Sequence, residues 1–150
     1  MSRCLSGEYE HKLDAKGRLI IPLKLRSELG ESFMVTKGID CCLYVYGMTE
    51  WEEFVEKLNK LPMTNRTARA FKRGFLAGAV KCEPDAQGRI LLSPKQREYA
   101  HIDKDVYVIG NGEKAEIWSK EEWDGPENMS DNQASMDELA DELDALDFSF

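Results

Sequence analysis

The chain has little that points to catalysis, to a membrane or to an oxidising compartment. Its only two histidines, His11 and His101, stand apart from each other and from other ligating side chains. No HxxxH, His–Cys or carboxylate spacing reads as a metal site. Nothing in the residue order pairs Cys41, Cys42 or Cys82 with a histidine as nucleophile and base. The expectation is no catalytic residue, no metal, no cofactor and no small-molecule substrate. No apolar run reaches the length of a membrane span, so no membrane partner is expected. The stretch Met1-Ser2-Arg3-Cys4-Leu5-Ser6 lacks the apolar core of a signal peptide, which places the expected site of action in the cytoplasm. Cys4, Cys41, Cys42 and Cys82 form no CxxC pair and read as reduced, mostly buried thiols.

Excess positive charge is lacking too, for the net charge is −8. Its distribution matters more than its sum. Residues 1–77 carry 13 basic and 10 acidic side chains, residues 78–125 carry 7 and 10, and residues 126–150 carry none and 8. The deficit therefore lies in the last segment, and the remainder is near neutral with a basic first half. Whole-chain charge then says little about whether the body binds a polyanion.

What is present is an internal repeat. Asp14-Ala15-Lys16-Gly17-Arg18 returns as Asp85-Ala86-Gln87-Gly88-Arg89. Leu19-Ile20-Ile21 answers Ile90-Leu91-Leu92, Lys24 and Arg26 answer Lys95 and Arg97, and Gly7 answers Gly78. With one residue inserted, Gly38 answers Gly110 and Trp51 answers Trp123. A repeat of about fifty residues is one supersecondary unit whose copies pack to bury what neither buries alone.

Each copy predicts the same order of elements. Strands run over Gly7–Leu13 and Arg18–Pro22, joined by a hairpin turn in which Asp14 accepts backbone N–H groups and Gly17 takes the left-handed position. A short helix follows over Leu23–Leu29, closed by Gly30, then strands over Phe33–Thr36 and Leu43–Tyr46. Thr49 and Glu52 form a capping box for a helix with an apolar stripe of Trp51, Phe54, Val55, Leu58 and Leu61. Asn65 caps a second helix to about Leu76, with Arg66, Arg69 and Arg73 on one face and Ala68, Phe71 and Phe75 on another. The second copy gives strands over Ala79–Glu83, Arg89–Leu92, Val106–Ile109 and Ala115–Trp118, a helix from Pro94, and a capping box at Ser119 and Glu122. Gly110-Asn111-Gly112 reads as a hairpin turn rather than a phosphate loop, because a strand follows it. Residues 127–135 read as a linker, and Met136, Leu139, Leu143 and Leu146 as the stripe of a marginal acidic helix.

The expected fold is α+β and mainly β: a small barrel built jointly by a first module at 1–62 and a second at 78–125. A bridging helix fills 63–77, and 126–150 is an acidic tail. Trp51, Trp123, Phe54 and Phe71 read as core rather than stacking platforms. Arg66, Arg69 and Arg73 read as a solvated face or subunit contact rather than phosphate ligands.

The duplicated DxxxR pattern, the apolar run to Pro22, and Trp51 and Trp123 at the two helix starts resemble the MraZ family over residues 4–124. The resemblance implies two fused AbrB-like swapped-hairpin modules in a ring-shaped homo-oligomer. It implies a nucleoid-associated, DNA-binding transcriptional regulator of the bacterial division and cell-wall gene cluster, acting on short repeated promoter elements. It also implies that Arg18 is needed to bind DNA. From the residues themselves, Lys12, Lys16 and Arg18 lie at one tip, and Arg89 at the other. The second tip is less basic, since Gln87 replaces Lys16 and Glu83 replaces Lys12. An Asp14–Arg18 pair across the turn is an equally open reading, compatible with the first. The runner-up function is a non-enzymatic oligomeric scaffold whose acidic Met136–Phe150 segment docks partners.

Overall fold

The computed structural model describes residues 4–125 and 136–146. The linker expected at 127–135 lies outside the described residues. In chain order the elements are β1 (Glu8–Lys12), β2 (Arg18–Ile20), α1 (Leu23–Leu29), β3 (Phe33–Lys37), β4 (Leu43–Gly47), α2 (Met48–Asn59) and α3 (Arg66–Ala77). The second copy adds β5 (Val80–Cys82), β6 (Arg89–Leu91), α4 (Pro94–Tyr99), β7 (Asp105–Asn111), β8 (Lys114–Ser119) and α5 (Lys120–Asp124). The tail segment holds α6 (Met136–Leu143) and a 3-10 turn over Asp144–Leu146.

The strands form an antiparallel six-stranded sheet in the order β1-β7-β8-β4-β3-β5 and a separate two-stranded ribbon of β2 and β6. This corrects the hairpin expectation. β1 and β2 flank the first DxxxR turn but do not pair with each other. β1 pairs with β7 of the second copy, β5 pairs with β3 of the first, and β2 pairs with β6. A three-residue strand makes only a marginal hairpin within its own copy. Exchange sets Leu19 opposite Ile90 and buries both, at 0% and 3% exposure. The small barrel expected from the repeat is not confirmed: the six-stranded sheet is open, with β1 and β5 at its edges. The α+β class with a dominant antiparallel sheet stands.

One core holds the ribbon to the sheet. Leu19, Ile21, Ile90 and Leu92 pack with Phe33, Val35, Leu43, Val45, Val106, Val108 and Ile117, and α1 adds Leu25 and Leu29. Each such side chain gains about 1.5–3 kcal/mol from leaving water. Two buried polar groups are matched within it: Thr36 donates its hydroxyl to the Phe75 carbonyl at 2.6 Å, and Gln96 donates Nε2 to the Val35 carbonyl at 3.1 Å. A second cluster joins α2 and α3 to the sheet through Tyr46, Trp51, Leu58 and Phe75. Phe71, expected in the core, is 41% exposed and lies at the edge of that cluster, its ring tilted against Phe75 with centres 5.7 Å apart.

The helix ends follow the caps with three differences. Asn65 accepts the Ala68 N–H at 2.9 Å and Ser119 that of Glu122 at 3.1 Å, as their residue types predict. Thr49 does not cap α2. The helix begins two residues earlier, at Met48 behind Gly47, because β4 pairs up to Gly47 against Phe33 and runs straight into the first turn. Glu122 does not complete a box with Ser119; its carboxylate meets His101 Nδ1 at 3.0 Å. A full box forms instead at Ser93 and Gln96. The β7–β8 loop is Gly112-Glu113, with Gly112 at φ 75°, so Gly110 belongs to β7. Gly110 is needed there for close approach: a Cβ on it would stand 2.3 Å from the Ser6 amide nitrogen.

Candidate nucleic-acid interface

Both DxxxR turns close in the same way. The Gly17 N–H donates to the Asp14 carbonyl at 3.0 Å, and the Gly88 N–H to the Asp85 carbonyl at 2.9 Å. Gly17 and Gly88 hold φ of 80° and 78°, the left-handed position assigned to them from their place in the turn. Each aspartate is the anchor. Asp14 Oδ1 accepts the Lys16 and Arg18 backbone N–H groups at 2.9 Å, and Oδ2 accepts Arg18 Nε at 2.7 Å. Asp85 repeats this with Gln87, Arg89 and Arg89 Nε at 2.9, 2.9 and 2.8 Å. Backbone N–H donation from Arg18 and Arg89, then their guanidinium groups, holds both carboxyls below the ordinary aspartate value.

Each copy also braces the other's turn. Arg26 of α1 donates Nε to the Ile21 carbonyl at 2.9 Å and lays its guanidinium where a Cβ on Gly88 would be, 2.5 Å from Cζ. Arg97 of α4 donates Nε to the Leu92 carbonyl at 3.2 Å and lies in the same way against Gly17, at 3.1 Å. Arg26 and Arg97 are equivalent positions of the repeat, but no local motif assigns a side chain to the other copy's glycine.

The swap brings the two arginines onto one ribbon. Arg18 lies opposite Leu91 and Arg89 opposite Ile20, with Leu19 and Ile90 on the inner face between them. Arg89 Nη1 comes 3.8 Å from Asp14 Oδ2, so the turns share an electrostatic field. The guanidinium groups are not fully outward: the Arg18 and Arg89 side chains are 32% and 24% exposed. Tethering through Nε is the reason. Arg89 also gives Nη2 to Gln87 Oε1 at 2.7 Å, whereas among the described residues Arg18 shows no hydrogen bond through its Nη atoms. Lys16 is exposed at the tip. Lys12 sits at the end of β1 and faces Asp105 on β7 at 3.9 Å, a surface pair that does not join it to the ribbon.

Among the described residues no group of three or more His, Cys, Asp or Glu converges as a metal site. None of the described helices is long and apolar enough to cross a membrane.

Two interlocked copies, each presenting an arginine fixed by the aspartate of its own turn, define a tandem strand-swapped protein with a paired basic ribbon. A family model described as "MraZ protein, putative antitoxin-like" matches residues 4–74 and again 75–146. Three relatives are named Transcriptional regulator MraZ. That of Thermoanaerobacter sp. (strain X514) is 55% identical over 142 residues, 95% of this chain and 98% of that protein. That of Caldanaerobacter subterraneus subsp. tengcongensis is 54% identical over 140 residues, 93% of this chain and 96% of the relative. That of Carboxydothermus hydrogenoformans is 51% identical over 137 residues, 91% and 94% of the two chains. The chain belongs to the MraZ family.

Proposed function

We propose that the chain is a transcriptional regulator that grips duplex DNA through the β2–β6 ribbon, with Arg18 leading, Lys16 and Lys12 assisting, and Arg89 secondary. The observation that carries this reading is the pair of aspartate-anchored arginines on one strand-swapped ribbon. An arginine held through Nε has already lost much of its rotamer freedom, yet keeps its two terminal nitrogens as a planar fork. That fork fits a phosphate, or guanine O6 and N7. Arg18 has the freer fork, since Arg89 spends part of its own on Gln87. Asp14, Gly17, Asp85 and Gly88 serve as the mounts.

One ribbon makes few phosphate contacts. A ring of copies multiplies them along the duplex, with linked contacts gaining from effective concentration. Repeated promoter elements would then match repeated subunits. In this reading the modules at 1–62 and 78–125 act as one ribbon-bearing unit joined through 63–77, and the target is the division and cell-wall cluster, reached in the cytoplasm at the nucleoid. The names of the relatives support regulation of transcription rather than catalysis. A scaffold role rests on α6 alone, whose Met136 is 77% exposed among acids.

Gel-shift titrations on the DNA upstream of the chain's own gene test the reading, with the oligomer mass measured in parallel. Affinity should fall steeply with salt, and Arg18→Ala should weaken binding on cognate and random duplexes. Each lost phosphate contact should reduce the log–log salt slope by about 0.9. Salt-independent binding, or an Arg18→Ala protein that binds as tightly as wild type, overturns it.

A further inference from the structure

Ile20 and Leu91 occupy the outer face of the ribbon and have no role in the core. They are 42% and 59% exposed, while Leu19 and Ile90, one residue away on the opposite face, are 0% and 3% exposed. Pleating sends alternate side chains to opposite faces. The register therefore sets Arg18, Ile20, Arg89 and Leu91 on one side as a chequer of two cations and two branched apolar groups. A single exposed isoleucine needs no explanation. Here the same position, two residues after the arginine, is apolar and exposed in both copies.

On the reading that this ribbon binds duplex DNA, we propose that Ile20 and Leu91 contact thymine C5-methyl groups in the major groove. They would make the ribbon a reader of A·T pairs beside its arginine contacts. Two strands about 4.8 Å apart fit a groove about 12 Å wide. Diagonal positions across such a ribbon lie about 7–8 Å apart, close to two base-pair steps of about 3.4 Å. The thymine methyl is the apolar group a base presents in that groove, and branched aliphatic side chains suit it. Charge complementarity favours DNA over a second copy of the chain. An isologous contact through this face would bring four arginine side chains together, whereas a duplex supplies the matching anion.

The test uses the full chain and the duplex upstream of its own gene, synthesised once with thymine and once with uracil, which lacks the methyl. Wild type should lose about fourfold in affinity for each methyl contact removed, the value of one buried methylene-sized group. Ile20→Ser with Leu91→Ser should weaken binding to the thymine duplex and abolish the difference between the two duplexes. Thermal unfolding of the variant confirms that it folds. Arg18→Ala should weaken binding to both duplexes and keep their ratio. If Arg18→Ala weakens binding while wild type ignores uracil, or the serine variant keeps the full uracil penalty, the inference is wrong and the DNA-binding reading survives. If Arg18→Ala binds as tightly as wild type, or wild type binds neither duplex, both are wrong. A serine variant with altered oligomer mass and unaltered thymine preference marks the face as a self-association surface and overturns the inference.

Discussion

Replacing Leu19 by alanine should unfold both copies together, at a denaturant concentration far below that of wild type. Leu19 is 0% exposed and lies opposite Ile90 at the centre of the ribbon. Truncation removes three methylene-sized groups, about 2.4 kcal/mol of transfer energy, and leaves a cavity that β2 cannot close without leaving β6. The total comes to about 3–5 kcal/mol. With a urea dependence of about 1–3 kcal/mol per molar, the midpoint should drop by about 1–5 M. The assay is tryptophan fluorescence in two backgrounds. One keeps only Trp51, which is buried against α3 in the first copy; the other keeps only Trp118, buried on β8 in the second. Because β1–β7, β3–β5 and β2–β6 all cross between copies, Leu19→Ala should move both reports by the same amount relative to their own parents. Ile20→Ala, one residue away on the exposed face, should cost less than about 1 kcal/mol. A shift seen by Trp51 alone, with Trp118 unmoved, would refute the interlocked architecture.

Gly88→Ala should cost about 1–2 kcal/mol for its left-handed backbone, and more where the new Cβ displaces Arg26 from Ile21. Gly17→Ala should cost less, and adding Arg26→Ala to Gly88→Ala in a double-mutant cycle should recover part of the loss. Ser93→Ala should lower stability by about 1 kcal/mol while Thr49→Ala leaves it nearly unchanged, a contrast that urea midpoints will read. The Asp14 and Asp85 carboxyls titrate below their ordinary 3.8 in the folded chain, so their stabilisation is complete above that pH and is lost as pH falls through the lowered native value. Melting temperatures between about pH 5 and pH 2 should therefore fall less steeply in Asp14→Asn than in wild type; parallel curves would contradict the anchoring. Burial pushes the Cys82 thiol up to about 11 and Cys42 higher still, so a thiol reagent near neutral pH should react with Cys4 and Cys41 first and reach the other two only on unfolding.

Local chemistry was readable wherever a residue type answers to its immediate backbone. Asp14 and Asp85 accept the N–H groups that their turn position demands, Gly17 and Gly88 take positive φ, and Asn65 and Ser119 cap their helices. The repeat made the pairing of two equivalent units legible as well. What escaped was which copy each strand joins. β1 and β7 alternate as well with a neighbour in their own copy as with one in the other, and periodicity carries no address. The same limit hid the embrace of Gly88 by Arg26. Thr49 misled because its box is valid as a pattern, but β4 hands the chain to α2 two residues too early for it. Phe71 misled because helical spacing marks a face without marking where the face ends. The Ser93–Gln96 box was within reach, since Ser-Pro-Lys-Gln is a complete start signal.

A dimer of identical chains cannot tell its left hand from its right. This protein carries both hands on one thread, and the hands have drifted apart: Lys16 stands where Gln87 answers it, and the forks of Arg18 and Arg89 are unequally occupied. Whatever lies along the ribbon meets a strong end and a weak end. On the DNA-binding reading the grip would thereby acquire a heading, which suits a target written in the same direction each time better than one that mirrors itself.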